Sequence, residues 1–560
     1  MAADSRRFTG TSRLALAAML ALYLAAVLVQ MGKPLVYDDV NFAQGALAIR
    51  ETGFPYGNQG WMSDLGDFSR RDQWALWHPP LYLYLVGLST WLFGATPLGL
   101  RLPGLVGAVA VGVLTYLLAW EVAAGPASFK RRAALVAAAL TLSSPLVVQS
   151  ALVIDIDFAL LLPLSLLFLL LVFHIGATQR WPWLAALFAL LLWSKMTNPL
   201  PLLASVAGWN FLRADWRGVG RTLVAGLGGT AAFLATWLIL SGALRMPFGM
   251  PFAVNSIQWA DSSEVARRAY ASPGAFAEGL LPSILWLGPW LVVLGLVAAC
   301  ARAVDLVPAW RVRRTELLLG LLVALVLGYV NKGALWFPKY QVALAPLLAI
   351  VAAPLVALAF ERAWSWRPTV VAGAGVLAST AVVWLLVRDG WALERTYVLR
   401  PEEGIAFALL GTAVAVGLAL LRTPSPIPLA LAALALGWGL STSTVMARAP
   451  YSTWYGYGTR GIPEAAAWID ANVPPDATYV ASKDAAFLAR PRRYIDQDTL
   501  TYYLETNRPF DGTWEGQQVV AVVAWTREPY IADLLERRLP ELGFQRETQL
   551  GDYVAYRRRG

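Results

Sequence analysis

Residues 14–46, "LALAAMLALYLAAVLVQMGKPLVYDDVNFAQGA", decide how the rest of the chain is read. The part from 14 to 31 is apolar almost throughout, close to the ~20 residues that cross a bilayer as a helix. Arg6, Arg7 and Arg13 precede it, and Asp38 and Asp39 follow it closely. Basic residues ahead of an apolar core also suit a secretory signal peptide. The run is long for that, however, and the acidic pair follows too soon for a mature domain to start there. The expected reading is an uncleaved first span, with two adjacent carboxylates where the chain leaves the membrane.

Similar runs recur along the chain. Of its 560 residues, 58% are hydrophobic and only 14% charged, against about 25% charged in soluble domains. Backbone groups in lipid must be paired within the segment, which helices achieve. The composition therefore predicts an all-α, multi-spanning membrane protein. The net charge of +9 is that of cytoplasmic loops rich in Lys and Arg. No basic run is interleaved with exposed aromatics on a soluble domain, so nucleic acid is excluded as a partner. Cys300 is the one cysteine, which leaves no intrachain disulfide and no cysteine-based metal site. The 25 Trp suit belts at the two membrane interfaces.

Basic loops orient the spans. The N-terminus is cytoplasmic, 14–31 crosses outward, and 32–80 is external. Lys130, Arg131 and Arg132 should be inside, so only one crossing fits between 80 and 130. That crossing is placed at 101–120; 80–93 is short and is expected along the outer surface or as a bent entry. Further spans are expected at 133–149, 158–174, 182–195, 199–212, 222–241, 281–301, 316–331, 340–360, 369–387, 403–421 and 427–445. About 13 transmembrane helices result, in a domain of 1–445 whose external loop 32–100 carries the acidic pair. Residues 446–560 fall outside and change in composition. "QQVVAVVAW" (517–525) and "DYVAYRR" (552–558) read as strands and 528–542 as an amphipathic helix. These predict a small C-terminal α/β domain on the outer face.

This topology gathers Asp38, Asp39, His78, Asp155, Asp157, Lys195, Lys332 and Lys339 on the outer side. Ionisable groups near bilayer depth are costly and commonly mark function or a wet cavity. Two signs of charge on one face suggest a site that holds an anion and also needs a carboxylate. Each residue alone has a simpler explanation. Asp38 and Asp39 suit the start of the helix "DVNFAQGALAIRETG", His78 precedes the prolines that open a helix, and lysines at span ends snorkel. Asp155 and Asp157 could be ordinary loop acids, and His174 a helix-end residue. Two acids side by side exceed what a cap requires, and their repulsion would raise one pKa toward the range of a base.

Five stretches, in order, resemble one known family. They are "YDDVNFAQGALAIRETGFP", "HPPLYLYLVGLSTWLFGATPLGLRLPGLV", "ALVIDIDFALLL", "WSKMTNPLPLLA" and "FPKYQVALAPLLAI". Together they resemble the GT-C superfamily of membrane glycosyltransferases that use polyprenyl-phosphate sugars. The nearest branches are the protein O-mannosyltransferases and the lipid A aminoarabinose transferases. Position 39 is Asp where the family usually has Glu. Position 78 is His, as occurs in the mannosyl branch.

The resemblance implies a polyprenyl-phosphate-linked donor, sugar transfer with inversion, and an acceptor that is a cell-envelope glycolipid, a glycan or a protein Ser/Thr. The enzyme would be a hexosyl- or pentosyltransferase. Asp38 would take the acceptor proton; Asp39 or Asp157 would orient the acceptor or tune Asp38. His78, Lys195, Lys339 and Tyr340 would face the lipid phosphate. No cofactor is certain. A divalent metal is possible from acids and a His, with no fixed spacing motif to place it. The implied location is a plasma membrane of prokaryotic type, with the site extracytoplasmic. The rival class is a transporter or flippase of a lipid-linked substrate, since intramembrane charges also mark ion paths. Inverted repeats, usual in transporters, are not evident.

Overall fold

The computed structural model describes residues 10–35, 38–56, 74–174, 181–253, 314–331, 338–361, 460–490, 494–506, 509–514, 516–526 and 529–559, with isolated positions between 256 and 298. Most of the span expected at 281–301, those at 369–387, 403–421 and 427–445, and Lys332 lie outside the described residues.

The chain enters as α1 (Gly10–Leu28) and turns into α2 (Asp38–Thr52). Helix α3 (Leu81–Phe93) packs along α2, and α4 (Pro97–Val122) follows after a short turn. At about 20 Å, the 13 residues of α3 fall short of a ~30 Å hydrocarbon core. Its length matches the non-spanning reading of 80–93. Thr96 caps α4 by accepting the Gly99 N–H at 3.1 Å, and Pro97 sits where a missing N–H costs nothing.

The span expected at 133–149 is broken. Helix α5 (Ala127–Leu142) stops, and α6 (Pro145–Ser150) restarts after Ser143 and Ser144. Pro145 supplies no N–H and disfavours helical backbone at Ser144, which is extended at ψ 125°. The chain then enters a π-helical turn, Asp157–Leu161, continuous with α7 (Leu162–His174). Pro163 cannot donate to the Ala159 carbonyl as an α-helix would require. The Leu162 N–H instead reaches back to the Asp157 carbonyl.

Helices α8 (Trp181–Ser194), α9 (Pro199–Leu212), α10 (Trp216–Ala243), α11 (Arg314–Asn331) and α12 (Leu344–Glu361) complete the described bundle, with a 3-10 turn, Pro338–Gln341, ahead of α12. Helix α10 lies against α8, and α5 lies between α4 and α12. Among the described residues, four helical stretches are long and apolar enough to cross a membrane: α1, α4, Asp157–His174 and α10.

The C-terminal unit runs α13 (Ile462–Asn472), β1 (Thr478–Ala481), α14 (Lys483–Leu488), β2 (Tyr494–Asp496), α15 (Gln497–Glu505), β3 (Thr513–Trp514), β4 (Gln517–Trp525), α16 (Pro529–Glu541), β5 (Phe544–Leu550) and β6 (Tyr553–Arg558). Its sheet has the order β2-β1-β4-β6-β5, with β3 paired to β4. Strands β2, β1 and β4 are parallel, and β6 and β5 add antiparallel. Both strands and the amphipathic helix read from the sequence are present. The run "QQVVAVVAW" is apolar because β4 is central and buried over Ala521–Ala524.

Candidate active site

The site forms where the segment between α1 and α3 meets the chain entering α7. Asp38 opens α2; its side chain lies outside the described residues. Asp39, next in the helix, is buried, and its Oδ1 accepts the Ile154 N–H at 3.1 Å. That bond ties α2 to the segment after α6. In that segment Asp155 Oδ1 accepts the Asp157 N–H at 3.0 Å, a local turn that acidic side chains favour. The turn and the π-helix behind it bring both carboxylates into the interior.

Two lysines meet them there. Lys195 follows the last residue of α8 and donates to both Asp157 oxygens at 2.9 and 2.8 Å. Lys339, in the 3-10 turn, lies 3.0 Å from Asp155 Oδ2, with both side chains only 5% exposed. Tyr340 stands against both cations, its ring centroid 4.7 Å from Lys195 Nζ and 4.9 Å from Lys339 Nζ. Cation–π contacts of this kind strengthen as water is excluded. His78 is half-buried in the turn that leads through Pro79 and Pro80 into α3.

The sequence reading passed over Arg101 as a site residue. It is buried in the first turns of α4. Its Nε donates to the Leu152 carbonyl at 2.6 Å and its Nη2 to that of Lys33 at 2.7 Å, while Nη1 donates to that of Met31. One guanidinium thus binds the turn after α1 to the segment that carries Asp155 and Asp157. The signal was present: an arginine inside an otherwise apolar run of spanning length.

Burial pushes Asp39 up to about 7, and the Asp155 charge adds to it. The Arg101 and Lys339 charges and the Ile154 N–H oppose the rise. Near neutral pH, Asp39 is therefore partly protonated. Asp155 and Asp157 face Lys339 and Lys195, and Arg101 adds a third cation. The cluster thus brings three cations and the carboxylates that pair with them to one buried place. Among the described residues, no three His, Cys, Asp or Glu side chains group to hold a metal ion.

Tight packing fixes the acidic segment. A Cβ on Gly107 of α4 would come within 2.7 Å of the Ala159 carbonyl oxygen and 2.8 Å of the Ala159 Cα. Only glycine permits that approach of α4 to the π-helical turn. A second polar group joins three helices elsewhere. Glu121 near the end of α4 lies 2.8 Å from Arg314 Nη1 and 3.2 Å from His174 Nε2, and Arg314 also donates to the Phe173 carbonyl. Arg101 and Glu121 are separated along α4 by about 30 Å, the depth of a hydrocarbon core. The two polar groups therefore occupy opposite ends of the bundle.

Residues 77–240 match a family model described as dolichyl-phosphate-mannose-protein mannosyltransferase. The whole chain is similar in structure to ArnT from Cupriavidus metallidurans bound to undecaprenyl phosphate, at 16% identity, 98% coverage of each chain and a TM-score of 0.57. The apo state of the same protein gives 16% identity, coverage of 98% of this chain and 97% of that one, and a TM-score of 0.58. A comparison with curated proteins gives no match. The resemblance read from the sequence is borne out, in fold along the chain and in family signature over 77–240. The chain shares the fold of these structures: a mostly helical integral membrane protein, with four helical stretches among the described residues long and apolar enough to span, and a small strand-containing C-terminal unit.

Proposed function

We propose that the chain is a glycosyltransferase. It moves a sugar from a polyprenyl-phosphate donor to an acceptor hydroxyl on the extracytoplasmic face of a prokaryotic plasma membrane, with inversion at the sugar carbon. Residues 1–445, with about thirteen spans, form the catalytic domain, and 446–560 form an outer domain. The acceptor is a cell-envelope glycolipid, a glycan or a protein Ser/Thr. The observation that carries this reading is the buried group of Asp39, Asp155, Asp157, Arg101, Lys195 and Lys339, with Tyr340 against both lysines, at one end of the bundle. The family match and the fold, shared with a protein seen bound to undecaprenyl phosphate, support the same reading.

Asp38 is the base. Asp39 is committed to the Ile154 N–H and is buried, so Asp39 anchors the start of α2 and leaves its neighbour for the acceptor. Asp38 takes the acceptor proton as the acceptor oxygen bonds to the sugar carbon, and the bond to the phosphate oxygen breaks. Lys195, Lys339 and Tyr340, with His78, stabilise the charge that develops on the departing lipid phosphate. Asp157 holds Lys195 in place. The bonding electrons leave with the phosphate, and no metal step is required by this set.

The test is transfer of radiolabelled sugar by purified protein in lipid, from a panel of polyprenyl-phosphate sugars. One donor should turn over. Asp38→Asn should lower that turnover by roughly 10²–10⁴, the usual worth of a general base, while donor binding persists. Full turnover in Asp38→Asn would remove Asp38 from the base role. Neither binding nor turnover with any donor would favour the transporter reading.

A further inference from the structure

Lys33 lies in the turn just after α1 and takes no part in the scheme above. Its N–H donates to the Gln30 carbonyl at 3.1 Å. Its own carbonyl is held by Arg101 Nη2, and its side chain is half-buried. Among the described residues, its ammonium group has no acidic partner. The charge acting on it is that of Arg101, which repels it. Burial, and then this repulsion, push Lys33 down to about 7.

The other cations are differently placed. Lys195 faces Asp157, Lys339 faces Asp155, and Arg101 spends Nε and both terminal nitrogens on carbonyls. An anion beside Lys33 would relieve both the burial and the repulsion. The turn is open next to Lys33, where a Cβ built on Gly32 meets nothing within 4 Å. The chain leading to the turn is also suggestive of the anion's source. Leu22, Leu28 and Val29 present an exposed apolar face that runs up to Lys33, so an acyl or prenyl chain can lie along α1 with its headgroup at the turn.

We propose that Lys33 binds the phosphate of the polyprenyl donor at the outer interface, in a turn fixed by Arg101. This rests on the glycosyltransferase reading for the identity of the lipid, but its test does not depend on turnover. Positive charge at this turn adds to the developing-charge stabilisation from Lys195 and Lys339 by holding the phosphate in both bound and departing states. Its loss should therefore appear in donor affinity more than in kcat.

The experiment titrates the full chain, in nanodiscs of neutral phosphatidylcholine, with polyprenyl phosphate and follows tryptophan fluorescence. Lys33→Gln should weaken binding about tenfold or more. Lys33→Arg should stay within about threefold of wild type, and Lys130→Gln, at the other end of α4, should match wild type. Inorganic phosphate and phosphatidylglycerol are titrated in parallel and should bind at least tenfold more weakly. Unchanged affinity in Lys33→Gln overturns the proposal, as does a wild type that does not bind polyprenyl phosphate. Equal binding of phosphatidylglycerol overturns the donor assignment in favour of a general phospholipid site. Inorganic phosphate binding as tightly overturns it in favour of a headgroup-only site. Binding that depends on Lys33, without transfer from any donor when glycolipid, glycan and Ser/Thr acceptors are all supplied, would keep this inference and sink the glycosyltransferase reading.

Discussion

Asp39 is the residue whose titration the protein should reveal most directly. Its folded pKa, about 7, lies above its ordinary 3.8 because burial penalises the charged form. A raised carboxyl pKa adds stability that is full below the unfolded value and is lost as pH rises through the folded one. The ceiling on that loss is on the order of 4 kcal/mol. The melting temperature should therefore fall as pH rises from about 4 to 7 and level off above that, and Asp39→Asn, which keeps an acceptor for the Ile154 N–H, should flatten the slope. Parallel slopes in the two proteins would mean that Asp39 is not titrating in this range. The sequence marked Asp39 through its adjacent acid, and Lys195 and Lys339 through their places at helix ends. It did not show that each lysine is already matched by an acid of the 155–157 turn. Those pairings join residues far apart in the chain, and no local spacing encodes them.

At the scale of elements, the site depends on how closely α4 meets the π-helical turn. Gly107→Val would place atoms inside contact distance of Ala159, costing about 1–3 kcal/mol as overpacking. It would also displace Asp157 from Lys195. Gly220→Ala on α10 is the comparison, since a Cβ there meets nothing within 4 Å and a helical Gly→Ala change adds up to ~1 kcal/mol. The expected outcome is a lower melting temperature and turnover for Gly107→Val, and neither for Gly220→Ala. Matching behaviour would show that the approach of α4 to Ala159 is not limiting. Lengths of the apolar runs made most elements readable: α3, α8, α9 and α11 fall close to their expected bounds. The break at Ser143–Pro145 was missed because 133–149 is apolar on both sides of it. Pro145 was the available signal, and its effect on Ser144 is local. The π-helical turn has no comparable hydropathy signature.

For the whole molecule, the described contacts run from the C-terminal unit to the helix that carries the acidic pair. Gln44 of α2 donates to the Tyr494 hydroxyl at 2.9 Å. Phe487 of α14 packs against the cluster of Ala43, Ala46, Tyr82, Ile154 and Ile156. The residues around Asp39 are thus clamped from the C-terminal side as well as by Arg101. Phe487→Ala should loosen α2 and lower donor turnover several-fold while the β4 and β6 pairing persists, judged by circular dichroism and by resistance to proteolysis. Wild-type turnover would limit the C-terminal unit to covering that end of the bundle.

What the sequence determined by itself is the class of molecule. Run length, hydropathy and the placement of Lys and Arg are local quantities, and a bilayer reads them locally. They were enough for a helical membrane protein with an α/β unit at its C-terminal end, and for one polar face with both signs of charge. The tertiary structure decided which charges meet. Asp157 with Lys195, Asp155 with Lys339, and Arg101 with the carbonyls of Met31, Lys33 and Leu152 depend on the packing of α4 against the π-helical turn and on the breaks at Pro145 and Pro163. In a low-dielectric interior such pairings dominate the energetics of each group. The chemistry open to Asp39 and Lys33 is therefore set by neighbours that only folding supplies.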